Sequence, residues 1–147
     1  MKIQSIGDCH CMALRRAARR ISDMYDATLA PVGLRGTQFS ILATLSASDG
    51  LSVNELADKL DLDRTTTGKN LRPLERDGLV AVRVSDTDGR SRAIALTAAG
   101  RRRLGTALPL WTQAQARYEA TNGQRKTRKL RSELSELRID SKQLRKA

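Results

Sequence analysis

The chain has 147 residues, with 27 Lys and Arg against 16 Asp and Glu, a formal net charge of +11. That length suits one compact domain with a single core, and the basic excess favours a polyanionic partner. One Phe, one Trp and two Tyr leave the core to aliphatic residues and argue against aromatic platforms for RNA or single strands. The absence of an apolar run near 18 residues, or of a signal-peptide core, predicts a cytoplasmic protein with no membrane partner.

In chain order, Asp8 is placed to cap a long helix running to about Leu29. Its stripe is Cys11, Leu14, Ala18, Ile21, Tyr25 and Leu29, with Arg15, Arg16, Arg19 and Arg20 mostly on the other faces. Pro31 and Gly33 break the chain. A second helix over 36–47 buries Phe39, Leu42 and Leu45, and its start looks weakly capped. Ser52-Val53-Asn54-Glu55 has capping-box spacing, followed by Val53, Leu56 and Leu60 on one face. Asp61-Leu62 interrupts, and Asp63 caps the next helix. The first turns of that helix carry Arg64, Thr65, Thr66, Thr67, Lys69 and Asn70, and its rear carries Leu71 and Leu74. A helix polar in front and apolar behind docks by its rear. Its front fits the major groove of double-stranded DNA, about 12 Å wide.

Asp77-Gly78 ends this helix. Leu79 to Ser85 alternates, with Val80, Val82 and Val84 on one side; Asp86-Thr87-Asp88-Gly89 turns, and Arg90 to Leu96 returns as the partner strand. Thr97 caps a further helix with a seam of Leu104, Leu108, Trp111, Gln115 and Tyr118, kinked at Pro109. Thr121-Asn122-Gly123 breaks it. Leu130, Leu134, Leu137 and Leu144 then follow a heptad-like spacing, with Ser141 in the gap. The expected fold is mainly α with a small β wing. Residues 51–97 form a winged helix-turn-helix, and residues 1–50 and 98–147 form a helical dimerisation region. Narrow apolar seams on the terminal helices predict a two-fold homodimer, whose two heads sit about one DNA turn (roughly 34–36 Å) apart.

The run Asp63-Arg64-Thr65-Thr66, then Leu71-Arg72-Pro73-Leu74-Glu75-Arg76-Asp77-Gly78-Leu79-Val80, then Asp86-x-Asp88-x-Arg90 and Leu96-Thr97 resembles the multiple-antibiotic-resistance-regulator (MarR) family. Upstream, Leu34-Arg35-Gly36-Thr37-Gln38-Phe39-Ser40-Ile41-Leu42 extends the match to roughly residues 8 to 120. The resemblance implies a dimeric bacterial transcription factor, released from DNA by a small phenolic ligand or by thiol oxidation. It places Arg90 in the minor groove with Asp88 holding it, and puts an effector pocket near Cys11, Tyr25 and Phe39. Thr67-Gly68 departs from the pattern, since relatives carry a larger or better helix former there.

Charge is unevenly placed. Residues 51–97 hold eight basic and eight acidic side chains, whereas 124–147 hold nine and three. This tail reads as a solvated helical face or as a salt-dependent, sequence-independent attraction to DNA.

Cys9-His10-Cys11 is the one cluster with reactive potential. With a single histidine in the chain, it lacks the four ligands of structural zinc, and residues two apart on a helix point away from each other. Cys11-x-Ala13-Leu14 with Tyr25 fourteen residues later is similar to the organic-hydroperoxide-sensing branch of the family. There the cysteine is oxidised and the tyrosine bonds to it; Arg15 stands where that branch has a second tyrosine. Cys11 is thus open to three readings: a small hydrophobe at the interface between copies, a thiol switch, or a ligand contact. No triad or phosphate loop points to an enzyme or cofactor. The leading reading is a sequence-specific repressor using Arg64, Thr65, Thr66, Lys69, Asn70, Asp88 and Arg90. The alternatives are an architectural DNA-coating protein using the basic tail, and a thiol peroxidase.

Overall fold

The computed structural model describes residues 6–84 and 92–138. The described helices are α1 (His10–Leu29), α2 (Gly36–Ser46), α3 (Val53–Leu60), α4 (Arg64–Arg76), α5 (Ala98–Asn122) and α6 (Gln124–Ser135). Two strands, β1 (Val80–Val84) and β2 (Arg92–Leu96), stand between α4 and α5. They pair antiparallel with Val80 opposite Leu96 and Val84 opposite Arg92. This is the mainly α fold with a small β wing that the sequence predicts. The hairpin gains a partner that alternation alone did not reveal: Leu51 N–H donates to the Ile94 carbonyl (3.0 Å) and Ile94 N–H to Leu51 (2.7 Å). That bridge ties the entry of α3 to the wing.

Two compact units make up the chain, Met1–Thr112 and Gln113–Ala147, with α5 running from the first into the second. The first unit holds an aliphatic core in which Leu29, Ile41, Leu42, Leu45 and Leu56 are fully buried and Leu74 nearly so. Phe39, the sole phenylalanine, is buried beside them and stacks on Trp111 with ring centroids 5.6 Å apart. In the second unit α6 follows Gly123, and the Thr127 hydroxyl donates to the Gln124 carbonyl (2.9 Å).

Several helix boundaries differ from expectation. Asp8 does not cap α1; it ends a 3-10 turn at Ile6–Asp8, so Cys9 becomes the extended N-cap residue. The start of α2 is better held than local rules suggest. The Gln38 Oε1 accepts the Arg35 N–H (2.9 Å), and the Asp26 carboxylate of α1 accepts the Gly36 N–H (2.7 Å). Such a cap from another helix satisfies an orphan amide just as a local one does. α6 ends at Ser135, so Leu137 lies beyond the helix and the heptad spacing outlasts it. Ser141 and Leu144 fall outside the described residues, as do Asp86, Asp88 and Arg90.

Candidate nucleic-acid interface

Helix α4 begins where Asp63, in extended conformation, turns its carboxylate back onto the first turn. Oδ1 accepts the Thr66 N–H (2.8 Å) and Oδ2 the Thr66 hydroxyl (2.6 Å). These bonds, the Thr66 hydroxyl first and its backbone amide second, hold the Asp63 pKa below its ordinary value. The neighbouring Thr67 is fully buried, and its hydroxyl donates to the Asp63 carbonyl (2.9 Å), so a polar side chain sits in the core without an unmet bond. With Thr67 inside, Leu71 and Leu74 follow on the same rail at four- and three-residue steps, both buried.

A rotation of about 100° per residue puts Thr65, Lys69 and Arg72 on the opposite side, and all three are exposed. Arg76 continues the ridge but is engaged with the Asp77 carboxylate at 3.0 Å. The ridge is therefore an outward row of hydroxyl, ammonium and guanidinium groups, all hydrogen-bond donors. Arg72 was not among the expected contacts. Its signal was the i, i+4, i+7 spacing from Thr65, in antiphase with the buried rail.

The frame that presents this ridge is fixed at both ends. The Ser52 hydroxyl accepts the Glu55 N–H (3.2 Å) while the Glu55 carboxylate accepts the Ser52 N–H (2.8 Å), completing the capping box. Hydrogen bonding to that carboxylate, from the Ser52 backbone N–H first and the Ser52 side chain second, lowers the Glu55 pKa. Asp61 ends α3 in left-handed conformation (φ 51°), which aspartate tolerates better than most residues. At the far end of α4 the chain reverses at Gly78 (φ 69°). Thr97 then locks that reversal: its hydroxyl donates to the Gly78 carbonyl (2.7 Å) and accepts the Gly100 N–H of α5 (3.0 Å).

The remaining expected site residues divide into groups. Arg64 is exposed beside the ridge. The Thr66 hydroxyl is spent on the Asp63 cap. Asn70 faces away from the ridge: its Nδ2 donates to the Thr66 carbonyl (2.9 Å), and its side chain lines a cavity of about 460 Å³. Tyr25, Asp26, Arg35, Leu60 and Trp111 line the same space. Phe39 does not line it but backs Trp111. Cys11 is absent from the lining and exposed near the start of α1. Fourteen residues of helix separate it from Tyr25 by about 21 Å, so the bond implied by the resemblance cannot form within one chain. Leu108, expected on a seam, is 51% exposed. Among the described residues no three His, Cys, Asp or Glu side chains converge as metal ligands, and no helix is long and apolar enough to cross a membrane.

Comparison with known proteins adds a family match. A profile described as the MarR family matches residues 32–91. An HTH-type transcriptional repressor of Mycobacterium tuberculosis is 43% identical over 75 residues, covering 51% of this chain and 54% of that protein. The chain thus spans about half the length of the curated relatives it matches first. Solved structures align more fully. The M. tuberculosis transcriptional regulator MosR is 41% identical with a TM-score of 0.73, over 87% of this chain and 93% of that one. The transcriptional repressor CouR, solved bound to a 23-mer DNA duplex, is 32% identical with a TM-score of 0.79, over 92% and 96%.

Proposed function

The chain belongs to the MarR family, whose transcription regulators are non-enzymatic, and from that membership we propose a sequence-specific DNA-binding repressor acting as a homodimer on a palindromic operator. The observation that carries the reading is the donor ridge of Thr65, Lys69 and Arg72, standing clear of the core on a helix capped and locked at both ends. Of that row, Thr65 and Lys69 present donors that match the acceptor-rich major-groove edge of guanine, and the threonine can also meet a thymine methyl. Arg64 at the helix start supplies a phosphate contact that sets register, and Arg90, with Asp88, extends the proposal to the minor groove. The dimer is supported by large apolar side chains on the terminal helices that stay exposed among the described residues: Leu14, Leu108, Leu130 and Leu134 are each at least 40% exposed. Two heads give the two half-sites of a palindrome.

Release from DNA follows from a ligand that favours an unproductive spacing of the two heads. The cavity beside Asn70 has the size of a small-molecule site, and it touches α1, α2 and α4 together. An occupant that displaces the Asn70 amide disturbs its bond to the Thr66 carbonyl, and Thr66 is the residue Asp63 caps. Oxidation of the exposed Cys11 thiol is the second route to release. The alternative of sequence-independent coating is favoured by the exposed Arg125, Lys126, Arg128, Lys129 and Arg131 of α6. Enriching binding sites from a random duplex pool separates the two. A two-fold symmetric site, bound at least about a thousandfold more tightly than its scrambled version, is the expected result. An enriched pool with no shared motif would refute the sequence-specific reading.

A further inference from the structure

Between α4 and the wing lies a second, smaller cleft of about 220 Å³, lined by Gly68, Leu71, Arg72, Glu75, Val82, Arg92 and neighbouring apolar residues. Its floor is apolar and its mouth is charged. Val82 faces Ile94 across the ladder and Val84 faces Arg92, so Arg92 stands on the same sheet face as the valines, two pairs along from Val82–Ile94. Arg72 approaches from the helix side and is exposed, as is Arg92. The ion pairs recorded among the described residues, Arg76–Asp77 and Lys129–Glu133, engage neither of them, nor Glu75.

Gly68 is the unusual member. It sits inside α4, where glycine is the weakest helix former after proline. A Cβ built there meets no atom within 4 Å, so the fold itself does not require glycine. What it provides is an opening in the helix surface, between the arginines at 64 and 72 and facing the wing.

We propose that this cleft seats a phosphodiester of the DNA strand that separates the major from the minor groove, a reading that rests on the DNA-binding function proposed above. A helix lying in the major groove and a hairpin reaching into the adjacent minor groove must straddle one sugar–phosphate strand. In this chain the space between those two elements is the cleft. Gly68 lets the strand approach the α4 backbone, Arg72 and Arg92 neutralise it from opposite walls, and Glu75 limits how deeply an anion enters. The contact is to backbone and not to bases, so it sets the register of the head without reading sequence.

The test titrates the parent, Gly68→Ala, Arg72→Gln and Arg92→Gln against a palindromic duplex and an unrelated duplex of equal length, over a range of NaCl. Gly68→Ala is expected to melt at a higher temperature than the parent yet to bind both duplexes about tenfold more weakly, through crowding of the seat. Each glutamine variant is expected to lower the slope of log K against log salt by about one. Parent-like affinity in Gly68→Ala, unchanged slopes in the arginine variants, or losses confined to the palindromic duplex would each overturn the seat. A parent that binds neither duplex would instead overturn the DNA-binding reading beneath it.

Discussion

Two glycines of α5 make a matched pair whose alanine variants should move stability in opposite directions. Gly100 lies against the wing base: a Cβ there would collide with the Leu79 carbonyl oxygen and come within 2.7 Å of Leu96 Cδ1. Neither neighbour is free to retreat. The Leu79 carbonyl accepts the Thr97 N–H at 3.1 Å, and Leu96 is buried in the core. Relieving the overlap costs about 1–3 kcal/mol of overpacking, and loosening the Thr97 bonds about 0.5–1.5 kcal/mol for each one lost. Against this stands a gain of about 1 kcal/mol from replacing a helical glycine. With both Thr97 bonds to the Leu79 carbonyl lost, the net expectation for Gly100→Ala is a loss of about 1–5 kcal/mol. Gly105, five residues on in the same helix, has nothing within 4 Å of a built Cβ. Gly105→Ala should therefore keep the propensity gain, up to about 1 kcal/mol. Urea unfolding of both variants and the parent, at one protomer concentration, measures the difference as shifted midpoints at constant slope. Equal midpoints for the two variants would refute the claim that α5 is locked onto the wing through Gly100.

Further outcomes follow from the caps and the thiol. Asp63 and Glu55 both have pKa values held below their ordinary 3.8 and 4.5. Their contribution to stability is present above those values and is lost as pH falls through the lower folded values. Acid titration of the parent should thus show stability falling below about pH 4.5, and Asp63→Asn with Glu55→Gln should flatten that part of the curve; an unchanged curve would count against the caps. Asp26→Ala strands the Gly36 N–H and should cost about 1–2 kcal/mol in thermal unfolding, while Asp26→Asn, which keeps an acceptor, should cost less. Peroxide should dissociate the parent from its duplex in a gel-shift experiment and leave Cys11→Ser bound; release of both would exclude that thiol as the switch.

How much was legible in the sequence depended on how local the cause was. The Ser52–Glu55 box, the Asp63 cap, the Gly78 reversal and the Thr97 cap are each written within four residues, and each stands where the pattern put it. Causes from elsewhere in the chain were invisible. Asp26 caps α2 from ten residues away, Leu51 pairs with Ile94 across forty-three positions, and neither follows from periodicity. Composition also blurred α4. Thr65, Thr66 and Thr67 look alike in sequence, yet one faces outward, one completes the cap and one is buried. Only the helical phase set by Leu71 and Leu74 distinguishes them. The same phase turns Asn70 toward the cavity and brings Arg72 to the ridge.

The central claim is that the outward row on α4 carries recognition. Its most direct test is the affinity of Thr65→Ala/Lys69→Ala for the best enriched duplex and for a scrambled one, read by fluorescence anisotropy. Both side chains are exposed, so the double variant should melt and assemble as the parent does while binding the two duplexes almost equally. Retention of the parent's preference by a folded double variant would contradict the account.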